Sequence, residues 1–241
     1  MTNQIQKQQE LKPEQRQFIS IKQAMEQMAP QMAEVVPRHL SAEKLMKVAL
    51  GSIKKDSKLL ACSVSSLLSC VMEASKLGLS IGGPLGEAHL VPFGSEATLI
   101  IGYRGFVNLM RRSGAINVVR AVVVHEKDRF HYTEGFTPTI IHEPSLDDEP
   151  GELKRVYAIA KFAGTDDYQF VILNKKEVAR AKAASRNQSN WDKHPEEYWK
   201  KTAVRRLAKL TPLSDEEAEA IERDDEASYV DSTAVEVAQD T

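Results

Sequence analysis

The sequence predicts an α+β fold in which a small antiparallel sheet and a β-hairpin are packed by helices. Three observations favour this class: helical spacing of apolar residues towards both ends, short extended runs in the middle, and turn residues between those runs. With 241 residues and 42% hydrophobic content, the chain is long enough to bury one sizeable core. We therefore expect one main domain with polar ends.

The first predicted element is an amphipathic helix within residues 1–36, which ends near Pro37. Its apolar residues recur at steps of three and four: Phe18, Ile21, Met25, Met28 and Met32. This stripe requires a partner surface. Two hypotheses stay open, namely packing on the same chain and docking on a neighbouring subunit, in which case residues 1–36 form a helical or flexible oligomerisation arm.

Two helices follow over residues 41–55 and 63–76, with Ser41 and Ser63 as caps and Gly78 as the stop of the second. The pattern then changes to extended runs at 87–93 and 97–103, joined by a short Gly-Ser connection, which predicts a β-hairpin. Helical spacing resumes over residues 103–113, and Gly114 ends it. The later elements are predicted strands at 116–125, 129–133, 155–162 and 168–173, an acidic loop at 143–152, and helices at 175–184 and 196–210 separated by a polar linker.

The cysteines predict neither a disulfide nor a zinc site, and the apolar runs predict no membrane span. Cys62 and Cys70 are eight residues apart on what is predicted to be one helix, so we expect neither a disulfide nor a zinc site. No apolar run reaches the roughly 18 residues of a membrane span, and the first ten residues lack the apolar stretch of a signal peptide. We expect a cytoplasmic protein.

The formal net charge of −2 conceals a strong division along the chain. Residues 214–241 contain eleven acidic residues and one basic residue, so residues 1–213 contain 31 basic against 23 acidic residues. A basic body attracts polyanions, and an acidic tail is usually solvated. We therefore predict a disordered acidic tail over residues 214–241; a tail that serves solubility alone is the alternative.

Several short blocks, taken in order, resemble the RecT family of phage and prophage single-strand DNA annealing proteins. These blocks are residues 37–40, 77–79, 86–94 (GEAHLVPFG), 100–105 (IIGYRG), 112–114, 156–158, the surroundings of Trp191, and 200–207 (KKTAVRRL). The resemblance covers roughly residues 35–213. From it we assign residues 37–213 as the DNA-binding annealing core. It implies ATP-independent annealing, a DNA-binding groove, assembly into rings or filaments, and recombination of phage or plasmid DNA. The implied partners are single-stranded and annealed duplex DNA, a cognate 5′ to 3′ exonuclease and the host single-strand binding protein.

The last predicted helix shows how a phosphate-binding surface is built. At about 100° per residue, Trp199, Ala203, Leu207 and Leu210 share one face, which predicts a buried Trp199. Lys201, Arg205 and Lys209 share another face. Residues 174–213 contain eleven basic and four acidic residues, so we expect DNA contact there, with a merely solvated basic face as the alternative.

A second DNA contact is predicted where the hairpin gives way to a helix. Arg104 lies at the helix N-terminus, whose N–H groups bind phosphate, and the flanking glycines would allow a close approach of ligand to backbone. Aromatic rings in or near basic stretches are candidates for base stacking, with Trp191 the strongest. The full set of predicted DNA-binding residues is Tyr103, Arg104, Arg111, Arg112, Lys175, Trp191, Lys200, Lys201, Arg205, Arg206 and Lys209; for Arg111 and Arg112, surface salt bridges are the alternative.

No catalytic chemistry is predicted. His125 and His131 flank Glu126 and Asp128, but their spacing matches no metal motif, and the acids at 147–149 lie in a loop. A phosphate-binding loop for ATP is absent from the sequence. We expect no enzyme activity and no cofactor, with Mg²⁺ bound together with DNA as an open alternative. The competing functions are a passive single-strand binding protein, a metal-dependent nuclease, and a structural oligomer whose basic face serves assembly.

Overall fold

The computed structural model describes residues 12–185 and 188–228. The chain divides into two compact units, Met1–Gly105 and Phe106–Thr241, so the boundary lies inside the predicted 37–213 core. Helices are mixed with three small antiparallel sheets, which confirms the α+β class. Among the described residues, the structure has no helix of the length and apolarity that a bilayer crossing requires.

The first unit begins with four helices: α1 (Pro13–Val35), α2 (Ala42–Lys55), α3 (Ser57–Leu60) and α4 (Val64–Lys76). Helix α1 packs on α2, α3 and α4, and its stripe residues Ile21, Met25 and Met32 are fully buried. Of the two hypotheses for this stripe, packing on the same chain is therefore the one that the structure shows. The predicted caps are also present, because the Ser41 and Ser63 hydroxyls accept from the Lys44 and Ser66 amides.

A β-hairpin completes the first unit. Strand β1 (Ala88–Phe93) pairs antiparallel with β2 (Glu96–Ile101), and Gly94 at φ +61° makes the turn between them. Helix α4 packs on β2, and the Cys70 thiol donates to the Ala97 carbonyl at 3.3 Å. Helix α5 (Tyr103–Arg112) begins directly after the hairpin, and the boundary between the units falls within it.

The second unit is built on a three-stranded antiparallel sheet in the order β3-β6-β7. Its strands are β3 (Ile116–His125), β6 (Leu153–Phe162) and β7 (Tyr168–Asn174). Alternate residues Val156, Ala158 and Ala160 of the central strand are fully buried. Helix α8 (Pro195–Ala208) packs on all three strands, so the sheet fixes a helix that carries four of the eleven predicted DNA-binding residues.

The other elements of the second unit lie around this sheet. Strands β4 (Arg129–Thr133) and β5 (Thr139–Glu143) form a separate two-stranded sheet, and β5 was not predicted from the sequence. Helices α6 (Lys175–Ala184) and α7 (Ser189–Lys193) come between β7 and α8, and α7 occupies part of the predicted polar linker.

The prediction of a disordered tail over residues 214–241 is wrong for its first half. Asp215–Ser228 form helix α9, whose Ala220 and Ile221 are buried. Glu217 and Asp224 are buried as well, because basic residues of the same unit neutralise them. Residues 229–241, like residues 1–11 of the predicted arm, lie outside the described residues.

Candidate nucleic-acid interface

Arg104 is exposed at the first turn of α5, as the phosphate-contact prediction requires, and Tyr103 beside it is partly buried. Arg104 forms no ion pair with any residue that the structure describes. The flanking glycines have a different role from the one predicted. A Cβ on Gly102 would lie 2.0 Å from the Gly86 carbonyl oxygen, so this glycine admits the hairpin backbone rather than a ligand.

The two arginines at the end of α5 differ in their surroundings. Arg111 is exposed and makes no ion pair within the described part of the chain. Arg112 Nη1 lies 3.6 Å from Glu217 Oε1 of α9, so the salt-bridge alternative holds for Arg112. Of the pair, only Arg111 remains as an unpaired cation for a phosphate track.

The basic face predicted on α8 exists, and α9 covers its Arg205, whereas Lys209 stays exposed. Arg205 is only 6% exposed, and its Nε donates to Asp225 Oδ1 at 2.9 Å while its Nη1 donates to Asp224 Oδ2 at 3.4 Å. Lys209 pairs with the other oxygen of Asp225. The face is therefore not merely solvated, which was the alternative interpretation: α9 lies on it and supplies the counter-charges.

Lys201 belongs to the same cluster. Burial of its ammonium group lowers its pKa, Asp224 and Asp225 oppose this shift, and the nearby Arg205 guanidinium adds to it. The sequence predicted a cation facing solvent at this position. Instead, Lys201 is only partly exposed and lies near the buried Arg205 and its acidic partners.

The remaining predicted cations form ion pairs with exposed or half-exposed carboxylates. Lys200 Nζ lies 3.3 Å from Glu196 and 3.2 Å from Glu197. Lys175 Nζ lies 2.8 Å from Glu152 Oε2, and Arg206 Nη1 lies 3.2 Å from Glu177 Oε1. Exposed pairs of this kind contribute about 0 to 1 kcal/mol each, so a DNA phosphate can compete for these cations.

A cleft of about 220 Å³ opens beside this cluster, between β7, α6, α8 and α9. Its charged lining consists of Arg205, Arg206 and Lys209 together with the carboxylates of Glu177 and Asp225. Thr202 and the apolar side chains of Leu173 and Ala181 complete the wall. The cleft therefore brings three of the predicted DNA-binding cations together, each already paired with a carboxylate.

Trp191 is 6% exposed, which corrects the expectation of a ring free to stack on bases. Its ring packs against Tyr198, with ring centroids 5.0 Å apart and planes inclined by 35°. The buried Nε1 has no hydrogen-bond partner among the described residues. Trp199 is 8% exposed, as its position on the apolar face of α8 predicts.

The acidic and histidine residues at the end of β3 form a structural network. Asp128 accepts from the His125 and Ser145 amides at 2.7 and 2.9 Å and lies 3.0 Å from His142 Nε2. Within residues 12–185 and 188–228, no group of three or more His, Cys, Asp or Glu side chains is arranged to hold a metal ion.

Helix α9 is the feature of this interface that sequence reasoning missed, although a signal was present. Ser214 and Glu217 form a capping box, in which the Glu217 amide donates to Ser214 Oγ and the Ser214 amide donates to Glu217 Oε2. The motif Ser-x-x-Glu directly before Ala220 and Ile221 would have predicted a helix.

Comparison with known proteins identifies the family. A model of the RecT family matches residues 43–238. This chain belongs to the RecT family. It is 38% identical over 210 residues to Protein RecT of Escherichia coli K12, a match that covers 82% of this chain and 77% of that protein. It is also 36% identical over 61 residues to the uncharacterized protein YqaK of Bacillus subtilis 168, over 25% of this chain and 22% of YqaK.

Membership of the RecT family confirms the resemblance found in the sequence, and with it the function of a single-strand annealing protein in DNA recombination and repair. It implies binding of single-stranded DNA and self-association. The family match extends to residue 238 and so includes α9, which the sequence resemblance left outside the core. The helix that covers the basic face thus lies within the matched region.

Proposed function

We propose that this RecT-family protein holds single-stranded DNA by its sugar–phosphate backbone, as an oligomer, and anneals complementary strands without ATP during homologous recombination. The observation that carries the proposal is the family match over residues 43–238. The oligomer is a ring or a helical filament in which neighbouring protomers extend one phosphate track. The protein acts by binding, not by catalysing a covalent step.

Annealing places a specific demand on the protein surface. Two complementary strands repel each other through their phosphates, so the protein must neutralise backbone charge while the base edges stay free to pair. Base stacking in the new duplex contributes about 1.4 kcal/mol per step, which is a sufficient driving force without nucleotide hydrolysis. Exposed Lys and Arg side chains supply the neutralisation, and they carry no sequence preference.

The exposed cations are the residues to which we assign direct backbone contact: Arg104, Arg111, Lys175, Arg206 and Lys209. Arg104 and Arg111 have no ion-pair partner among the described residues, so a phosphate meets no competing carboxylate there. The other cations of the predicted set support this surface: Lys200 and Lys201 are partly exposed, Arg205 is buried, and Arg112 is paired with Glu217. We assign Tyr103 to the same DNA contact, because it directly precedes Arg104 at the start of α5.

The cellular setting follows from the same proposal. A 5′ to 3′ exonuclease encoded nearby exposes the single strands, and the host single-strand binding protein is displaced from them. The protein acts in the cytoplasm of a bacterium that carries the phage or prophage. Any role of Mg²⁺ is that of a counter-ion of the bound DNA.

The test is a strand-pairing assay without ATP. Two complementary oligonucleotides carry a fluorescence-transfer pair, and the purified full chain is added over a series of salt concentrations. We expect faster pairing than in buffer alone, with a rate that falls as salt rises. Arg104→Ala should slow pairing and reduce the salt dependence, whereas Arg104→Lys retains the charge and should lie close to wild type.

Two results would contradict the proposal. Tight binding of single strands that blocks pairing would identify a passive single-strand binding protein. Loss of the labelled strands in the presence of Mg²⁺ would identify a nuclease.

A further inference from the structure

Helix α9 carries eight acidic residues and one basic residue in fourteen positions. Three of its carboxylates meet basic side chains from two other helices: Glu217 meets Arg112 of α5, Asp224 meets Arg205, and Asp225 meets Arg205 and Lys209. These basic side chains belong to the set predicted to bind DNA. The helix therefore places anions where the predicted phosphate contacts would be.

The carboxylates on α9 are not equivalent. Asp224 and Glu217 are at most 5% exposed and lie next to the buried Ile221, so they anchor the helix to the unit. Asp225 is partly accessible, and it lines the cleft together with Arg206 and Lys209, whose side chains reach solvent. At the Asp225 end of this interface, a ligand can therefore reach the cations while α9 stays in place.

A second ion pair in the lining of the cleft has the same arrangement. Glu177 of α6 holds Arg206 through Oε1 at 3.2 Å, while its Oε2 accepts from the Asn174 amide at 2.9 Å and caps the helix. The cleft thus contains two exposed cations, Arg206 and Lys209, each paired with a partly accessible carboxylate, and Thr202 also lines it. A backbone phosphodiester carries one negative charge shared by two non-bridging oxygens, so it can accept from these cations in place of either carboxylate.

We propose that this cleft is a backbone-phosphate site for single-stranded DNA, and that Asp225 and Glu177 are internal competitors that the phosphate displaces from Lys209 and Arg206. The inference rests on the proposed function, since it names the ligand and the regulation of the same surface. The internal anions lower the affinity of each protomer for DNA. Binding therefore depends on several protomers acting on one strand, and a single protomer releases a strand readily.

The experiment measures fluorescence anisotropy of labelled oligothymidylate with the full-length protein over a series of NaCl concentrations. Asp225→Asn removes the competing charge and keeps a similar shape, so we expect roughly two- to fivefold tighter binding. One more engaged phosphate should also steepen the slope of log K against log salt by about 0.7. Glu177→Gln keeps the oxygen that caps α6, and we expect a gain of the same sign.

The matched control is Asp166→Asn. Asp166 lies in the exposed turn between β6 and β7, is not part of the cleft lining, and pairs with Lys161 at 2.9 Å. This substitution changes the net charge equally and also releases a lysine. A second control is Asp225→Asn combined with Lys209→Ala, in which the gain should disappear because the released cation is absent.

The outcomes separate the two proposals. If wild type fails to bind oligothymidylate at low salt, the proposed function itself is overturned. If wild type binds, and Asp225→Asn and Asp166→Asn have equal affinities, the competition in the cleft is refuted while the proposed function stands. Thermal unfolding of each variant is measured in parallel. A variant that loses its folded state is replaced in the comparison by Glu177→Gln, whose gain or lack of gain decides the question.

Discussion

His142 Nε2 lies 3.0 Å from Asp128 Oδ2, and both side chains are at most 5% exposed. On its other side, His142 Nδ1 lies 3.1 Å from the Tyr157 hydroxyl, and Phe130 stacks on Tyr157. Burial raises the pKa of Tyr157, so its hydroxyl stays protonated and can donate to a ring that donates to Asp128. This chain of contacts joins the β4–β5 sheet to the central strand β6.

Replacing Asp128 should therefore unfold the second unit more easily. Asp128→Ala leaves the His125 and Ser145 amides and the His142 ring without their acceptor, which should lower the free energy of unfolding by about 3 to 5 kcal/mol. Urea unfolding measures this loss. The control is Asp147→Ala in the following loop, an exposed acid paired with Lys127 that should change stability by less than about 1 kcal/mol.

The same carboxylate makes stability depend on pH. Burial raises the pKa of Asp128, but the His125 and Ser145 amides and His142 outweigh burial, and the net pKa lies below its ordinary 3.8. A carboxyl with a lowered folded pKa stabilises the protein fully above the unfolded value and loses that contribution as the pH falls through the folded value. Wild type should therefore lose more stability than Asp128→Asn below about pH 4. Parallel stability curves for the two proteins would argue against this role.

The N-terminal helix α1 should contribute to the stability of the folded protein. Met25→Ala removes a fully buried side chain between α1 and its neighbours, so we expect a loss of about 2 to 5 kcal/mol in thermal unfolding followed by circular dichroism. Gln27→Ala, at an exposed position of the same helix, should change stability by less than about 0.5 kcal/mol. Unchanged stability of Met25→Ala together with a smaller oligomer would restore the oligomerisation-arm hypothesis.

Two glycines in helices should respond to alanine with opposite signs. A Cβ on Gly105 would lie 2.1 Å from the Glu87 carbonyl oxygen, so Gly105→Ala should destabilise the protein by about 1 to 3 kcal/mol. Gly51 in α2 has nothing within 4 Å of a Cβ, so Gly51→Ala should stabilise it by up to about 1 kcal/mol through helix propensity. Denaturant midpoints of the two variants measure the contrast, and a shift in the same direction for both would refute it.

Both cysteines should be unreactive in the folded protein. Burial, with a contribution from Glu73, raises the pKa of Cys70 to about 12, and burial also raises the pKa of Cys62. Because the thiolate is the reactive form, a thiol reagent at about pH 8 should label neither residue until denaturant is added. Rapid labelling of one thiol in native buffer would show that the α3–α4 region opens locally.

The success and failure of sequence reasoning have physical reasons in particular elements. Helix α6 and the β1–β2 hairpin were predicted correctly because helical spacing and a Gly-Ser turn are local signals. Strand β5 was missed because it is short, alternates between exposed and partly buried residues, and is stabilised by His142 reaching across to Tyr157. Such long-range contacts leave no periodic pattern in the sequence.

At the candidate site, too, sequence reasoning succeeded for local features and failed for a long-range contact. Helical periodicity correctly placed Lys201, Arg205 and Lys209 together on α8, because a face of a helix follows from spacing alone. What covers that face could not be inferred, since it depends on Asp225 returning from sixteen residues further along the chain. Eleven acids over residues 214–241 suggested a solvated tail, whereas two apolar residues and three neutralised carboxylates are sufficient to dock α9.

The placement of the indole rings has a spectroscopic consequence. The protein has two tryptophans, Trp191 and Trp199, and both are buried in the second unit. Fluorescence excited at the red edge of the absorption band therefore reports on that unit alone, while far-ultraviolet dichroism sums the helices of both. A melting curve that differs between the two signals would reveal units that unfold separately, without any label attached to the protein.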